Sequence, residues 1–219
     1  MSMSNETRSR VKAIFEPVAL AMGRAGLTPD ALTLIGFGIT CVGALLLVFQ
    51  HWTIGGIVVF IGGAFDMFDG TLARATGRVS RLGAFMDSVF DRWGEMIVYV
   101  GVIAGAAVAG HARVPTLAGA AMGSAFMVSY ARAKSEGLGF TAGTGMAAIG
   151  VMPREIRLVI LSIGLILADA PHIKALEWAL VIIAVGATIT VIQRIVHVRQ
   201  QAKQQSTTTS QHEATENAQ

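Results

Sequence analysis

Apolar stretches long enough to cross a bilayer recur along this chain, and no other feature limits its folding choices so sharply. Each crossing needs about 20 residues to span a hydrocarbon core of roughly 30 Å. Six fit, at residues 30–50, 54–73, 83–109, 115–133, 156–170 and 174–196, the fifth being the shortest. The composition agrees, with 53% hydrophobic residues, only 14% charged and a mean hydropathy of +0.59, outside the habit of soluble domains. The expected fold class is all-α, a polytopic membrane protein with six transmembrane helices.

Basic residues orient these spans, because cytoplasmic helix ends collect Lys and Arg. Arg8, Arg10, Lys12 and Arg24 precede the first span, and Arg74, Arg78 and Arg81 lie between the second and third. Arg132, Lys134, Arg154 and Arg157 fall between the fourth and fifth, while Arg194, Arg199 and Lys203 close the sixth. Only Arg113 and Lys174 stand at the other side. The reading is a multi-pass protein of the cell membrane with both termini cytoplasmic. The net charge of +3 follows from this asymmetry, so it points to anionic lipid and phosphorylated substrates and not to nucleic acid.

Residues 1–25 are too short in their apolar run for a crossing and are interrupted by Glu16 and Pro17. Val11, Phe15, Val18 and Met22 recur at helical spacing while Arg8, Lys12 and Glu16 can stay wet, the pattern of an interfacial helix. Residues 26–200 form the membrane domain, and the Gln, Thr and Ser run at 201–219 reads as a disordered polar tail. The single Cys41 is packing material within a span.

Four carboxylates interrupt the apolar pattern. Asp66 and Asp69 end the second span, and Asp87 and Asp91 open the third. Spacings of three and four put each pair on one helix face, and the short basic connection makes the two helices antiparallel neighbours. An acid on a membrane helix costs several kcal/mol unless water, a partner or a cation meets it. A plainer reading makes them ion-pair partners of Arg74, Arg78, Arg81 and Arg92. Four converging acids need more counter-charge than that, and all-oxygen donors without Cys or His point to Mg²⁺ or Mn²⁺. Two such ions would suit displacement at a phosphorus.

The stretch DMFDGTLARATGRVSRLGAFMDSVFD, residues 66–91, resembles the signature D-x2-D-G-x2-A-R-x8-G-x3-D-x3-D of the CDP-alcohol phosphotransferases. Asp66, Asp69, Gly70, Ala73, Arg74, Gly83, Asp87 and Asp91 fill every specified position. The resemblance implies a phospholipid-synthesising transferase in which Asp66, Asp69 and Asp87 ligate metal and Asp91 is the general base that also touches a metal. It further implies that Gly70 and Arg74 meet the nucleotide of a CDP-activated lipid such as CDP-diacylglycerol, that Ser80 adds a contact, and that the protein is a homodimer. An ordinary loop role for Ser80 stays open. The segment GLTPDALT, residues 26–33, is similar to one that approaches the CDP-lipid in this family. Thr28 caps a helix there, and Pro29, Asp30, Ala31 and Leu32 offer its N-terminus to phosphate. A plain helix start at the membrane surface is the alternative.

The acceptor is read elsewhere. SYARAKSEGLG at 129–139 and MPREIRL at 152–158 resemble segments of phosphatidylinositol-phosphate synthases that form the inositol phosphate pocket. Arg132, Arg154 and Arg157 match its basic positions and Arg194 completes the cluster, so myo-inositol phosphate is the expected acceptor. Arginines gathered at one pocket repel unless an anion joins them, although topology alone also puts basic residues at these ends. Glycerol 3-phosphate, an archaeol-based CDP-lipid and, from a different class, a divalent-metal transporter remain the alternatives.

Overall fold

The computed structural model describes residues 16–140, 146, 149–169 and 173–216, with no side-chain description for Asp66 and for 205–216. Of the expected interfacial helix, Val11, Phe15, Arg8 and Lys12 lie outside the described residues. The described part of helix α1 covers 16–24. Then follow α2 (Pro29–Val48), α3 (Trp52–Ala75), α4 (Arg81–Val108), α5 (Val114–Gly137), α6 (Arg154–Ile166) and α7 (Ile173–Glu216). Each expected span thus falls on a helix.

Four of these, Pro29–Val48, Trp52–Ala75, Val114–Gly137 and Ile173–Gln204, are long and apolar enough to cross a membrane, so the chain is a polytopic helical membrane protein. The other two expected crossings fall short on length and composition for different reasons. The first half of α4 carries Arg81, Asp87, Asp91, Arg92 and Glu95. Helix α6 has 13 residues, roughly 20 Å at 1.5 Å per residue. At the far end, the backbone of α7 stays helical through Glu216, where composition predicts a disordered tail. A helix already nucleated by packing extends cheaply through residues such as Gln, Lys, Ala and Glu.

Local chemistry sets the helix ends that frame the site. Thr28 caps α2 by accepting the Ala31 N–H at 3.2 Å, and Pro29 fits the first turn. Helix α3 closes at Gly77, which takes φ +68, with the Arg78 N–H on Ala73 O at 2.9 Å. Ser80 caps α4 through the Gly83 N–H at 2.9 Å.

Packing then departs from one expectation. Helices α3 and α4 share a short connection but barely touch, because α2 packs against both. The close approach is made by α2 and α4: a Cβ at Gly101 would lie 2.5 Å from Ala44 O, and one at Gly105 would overlap Leu47 O. Helix α5 packs on α7 and α4, and α6 on α3 and α7. The main apolar core draws on every helix from α2 to α7. A smaller one joins Ala19 of α1, Leu32 and Leu72. The splay of α3 from α4 leaves a cleft at their charged ends.

Candidate active site

That cleft, about 700 Å³, is lined by the start of α2, the end of α3, the connector and the start of α4. Its walls include Pro29, Asp30, Asp69, Gly70, Arg74, Ser80 and Asp87. Asp69 is buried at 4% exposure; its Oδ2 accepts from Thr33 Oγ1 at 2.5 Å, and its Oδ1 accepts the Gly70 N–H. The Arg74 guanidinium folds back over the helix, with Nη2 3.5 Å from Thr71 Oγ1, and a Cβ at Gly70 would stand 3.3 Å from Nη1. Glycine at 70 thus leaves space beside a cation at the cleft wall. Asp30 faces the start of α4, where a Cβ at Gly83 would lie 3.4 Å from its Oδ1.

Two residues expected at this surface are placed elsewhere. The Leu32 side chain is fully buried against Ala19 and Leu72. Neither Ala31 nor Leu32 lines the cleft, and their N–H groups are taken by Thr28, through Oγ1 at 3.2 Å and the carbonyl at 3.1 Å. Ser80 lines the cleft while spending its hydroxyl on the helix cap.

A second cavity of about 840 Å³ gathers all four expected acceptor arginines, 132, 154, 157 and 194, with Asp87 and Asp91. Their surroundings differ. Arg132 is half-buried and pairs with Glu136 at 2.9 Å one turn on. Arg154 Nη1 reaches Asp91 Oδ1 at 2.9 Å, and Arg92 Nη1 reaches Asp91 Oδ2 at 3.1 Å. Arg194 is buried and donates to two backbone carbonyls, Ile149 O at 3.1 Å and Val128 O. Arg157 is 1% exposed and holds Glu95 in a fork, Nε to Oε1 at 2.7 Å and Nη2 to Oε2 at 2.8 Å, with Nη1 on Met152 O at 3.1 Å. All three of its nitrogens are engaged, so it is a wall of this cavity before it is a hand for an anion.

Asp87 belongs to both cavities, and Asp91 borders the second together with a third, narrow and mostly apolar space between α2, α3, α4 and α6. Asp69, Asp87 and Asp91 therefore border neighbouring spaces in succession, with Asp87 and Asp91 each shared by two of them. They are hard oxygen donors of the kind Mg²⁺ or Mn²⁺ takes, and two arginines already crowd Asp91 as counter-charge. Among the described residues no three acid, His or Cys side chains form a ready metal cluster. Asp66 is helical in α3, but its side chain is outside those described.

Sequence reasoning missed Thr33 as the partner of Asp69 and Glu95 as the partner of Arg157. Thr33 sits four residues after Pro29 on the face that α2 turns to α3; a hydroxyl there resembles any helix threonine until the facing carboxylate is known.

Residues 26–191 match the CDP-alcohol phosphatidyltransferase family. The chain is 37% identical over 202 residues to the phosphatidylinositol phosphate synthase of Mycolicibacterium smegmatis, covering 88% of this chain and 87% of that one. It is 34% identical over 193 residues to the archaetidylinositol phosphate synthase of Pyrococcus horikoshii, covering 88% and 95%. Among solved structures it resembles Mycobacterium tuberculosis phosphatidylinositol phosphate synthase with CDP-DAG bound, at TM-score 0.75 and 31% identity over 85% of this chain and 94% of that one. The same enzyme in complex with manganese and citrate matches at TM-score 0.74 and 31% identity, covering 84% and 88%. With Asp69 and Asp87 of the signature lining the cleft, the chain belongs to the CDP-alcohol phosphatidyltransferases and is an enzyme of phospholipid biosynthesis similar to the inositol phosphate synthases.

Proposed function

We propose that the protein transfers a phosphatidyl group from CDP-diacylglycerol to a hydroxyl of a phosphorylated polyol, myo-inositol phosphate in particular, and releases CMP. The carrying observation is that Asp87 borders both the cleft walled by Gly70 and Arg74 and the cavity walled by arginines. A nucleotide-activated lipid in the first and an anionic acceptor in the second would meet at one row of carboxylates. Similarity to the mycobacterial synthases, one of them with CDP-DAG bound, supports this division.

In this reading Asp91 takes the proton of the attacking hydroxyl as its oxygen bonds to the phosphorus that carries diacylglycerol. The bond from that phosphorus to the bridging oxygen breaks, and CMP keeps that oxygen. Arg74 holds phosphate oxygens by charge-assisted hydrogen bonds, and Arg132, Arg154 and Arg194 draw in the acceptor phosphate. Asp66, Asp69, Asp87 and Asp91 would hold two Mg²⁺ or Mn²⁺ ions, which when bound would supply charge neutralisation at the reacting phosphate; the manganese complex of the tuberculosis enzyme supports this. Helices α4 and α6 complete six crossings, α1 lies in the headgroup plane, both cavities open to the cytoplasm, and two copies form a homodimer.

The similarity to the Pyrococcus enzyme favours a second reading of the lipid half, with an archaeol-based CDP-lipid and the same acceptor. The test is CMP release by purified protein with either CDP-lipid and with inositol phosphate, free inositol or glycerol 3-phosphate. Inositol phosphate should react best. Free inositol should lag by roughly 10- to 150-fold, the value of a lost charge-assisted contact. Chelation should stop turnover until Mg²⁺ or Mn²⁺ returns. Equal use of free inositol overturns the acceptor, and turnover in chelator overturns the metal role.

A further inference from the structure

Glu95 lies one turn beyond Asp91 on α4, outside the aspartate signature, and the reaction above gives it no task. Both its oxygens are nonetheless engaged by the buried Arg157 guanidinium, at 2.7 and 2.8 Å. Arg157 Nη1 also holds Met152 O at 3.1 Å, while the Met152 N–H donates to Thr190 Oγ1 on α7 at 3.0 Å. The residues leading into α6 are thus clamped from α4 through Arg157 and from α7 through Thr190.

Arg154 lies three residues before Arg157, on the same side of α6, and reaches Asp91 at 2.9 Å. Two parallel rungs therefore join α4 to α6: Asp91 with Arg154 at the cavity wall, and Glu95 with Arg157 one turn deeper. The backbones of α4 and α6 scarcely approach one another, and the apolar space between them is bordered by both rungs. With so little backbone packing between them, the two rungs are the direct ties of α4 to α6, whose other packing is against α2 and α5 and against α3 and α7 respectively. A buried guanidinium stripped of its carboxylate is left as an uncompensated charge, and Asp91 offers a carboxylate one turn from Glu95 on the same helix and on the same cavity wall as Arg157.

We propose that Glu95 is a positioning residue for acceptor binding: by closing the fork on Arg157 it keeps that cation off Asp91 and holds Arg154 at the mouth of the acceptor cavity. The inference rests on reading the arginine-lined cavity as the acceptor site. It also reassigns Arg157 from phosphate ligand to anchor.

The test uses the full chain in detergent, comparing wild type, Glu95→Gln, Glu95→Asp and the exchanged pair Glu95→Arg with Arg157→Glu. CMP release is followed with inositol phosphate and CDP-diacylglycerol varied in turn, and thermal midpoints are taken with and without inorganic phosphate. For Glu95→Gln the acceptor KM should rise about tenfold or more while the CDP-lipid KM stays within about twofold, the scale of one lost charge-assisted contact. Glu95→Asp, which keeps the charge, should fall between, and the exchanged pair should recover most of the loss. Phosphate should raise the thermal midpoint of wild type and not of Glu95→Gln. A common rise in both KM values, or none, overturns the proposal. Should wild type use no phosphorylated polyol, the substrate reading fails by itself. Phosphate protection then decides for Glu95: protection equal in the two proteins, or absent from wild type, overturns its role.

Discussion

Thr33 reports most directly on the buried acid of the cleft. Its hydroxyl holds Asp69 Oδ2 at 2.5 Å in a buried setting, and a hydrogen bond to a charged group is worth about 1.5–3 kcal/mol. Thr33→Val keeps the shape and removes the donor. Turnover should fall about tenfold or more, and the Mg²⁺ concentration for half-maximal CMP release should rise; an unchanged metal titration would show that the Gly70 N–H suffices to orient Asp69. Asp91→Asn should cut turnover at least about a hundredfold, the lower scale for losing a general base, with CDP-lipid binding kept when measured by calorimetry. Spacing and apolar context both marked the signature aspartates, and of these Asp69, Asp87 and Asp91 border the two cavities. Arg157 was legible as a cation near the arginine-lined cavity but not as a partner of Glu95, since helical phase says which residues share a face and not which neighbour that face meets. Leu32 misled for the same reason, as the first turn of α2 turns its side chain toward α1 and α3.

At the scale of elements, the approach of α2 to α4 over glycine carries the frame of the cleft. A Cβ at Gly101 would sit 2.5 Å from Ala44 O, a backbone atom that cannot swing away. Gly101→Ala should therefore destabilise by about 1–3 kcal/mol, the usual cost of overpacking, and lower the thermal midpoint in detergent. Gly123→Ala, where nothing lies within 4 Å, should leave it unchanged. Equal midpoints for the two variants would mean that α2 and α4 have slack. The apolar runs located all the helices from α2 to α7, because lipid-length hydrophobicity is a one-dimensional signal. They did not reveal that α2 lies against both α3 and α4. A short connector restrains only the helix ends it joins, and the small residues on α2 and α4 decide the rest.

For the whole molecule, the number of crossings depends on α6, which is short, and on α4, whose charged half denies it the composition of an ordinary span. Single cysteines at Arg78, Arg113 and Lys203, in a chain with Cys41→Ser, will decide it by labelling with a membrane-impermeant maleimide. Six crossings place Arg113→Cys outside and the other two inside. If α4 does not cross, Arg113→Cys labels with Arg78→Cys. The two cavities carry one more consequence. Among the described residues Asp87 alone lines both, so under the proposed division the wall around Ser129, Arg132, Pro153 and Arg194 can change while the wall around Gly70 and Arg74 stays intact. A molecule divided in this way can hold one wall constant while the other varies, like a vice with one fixed jaw.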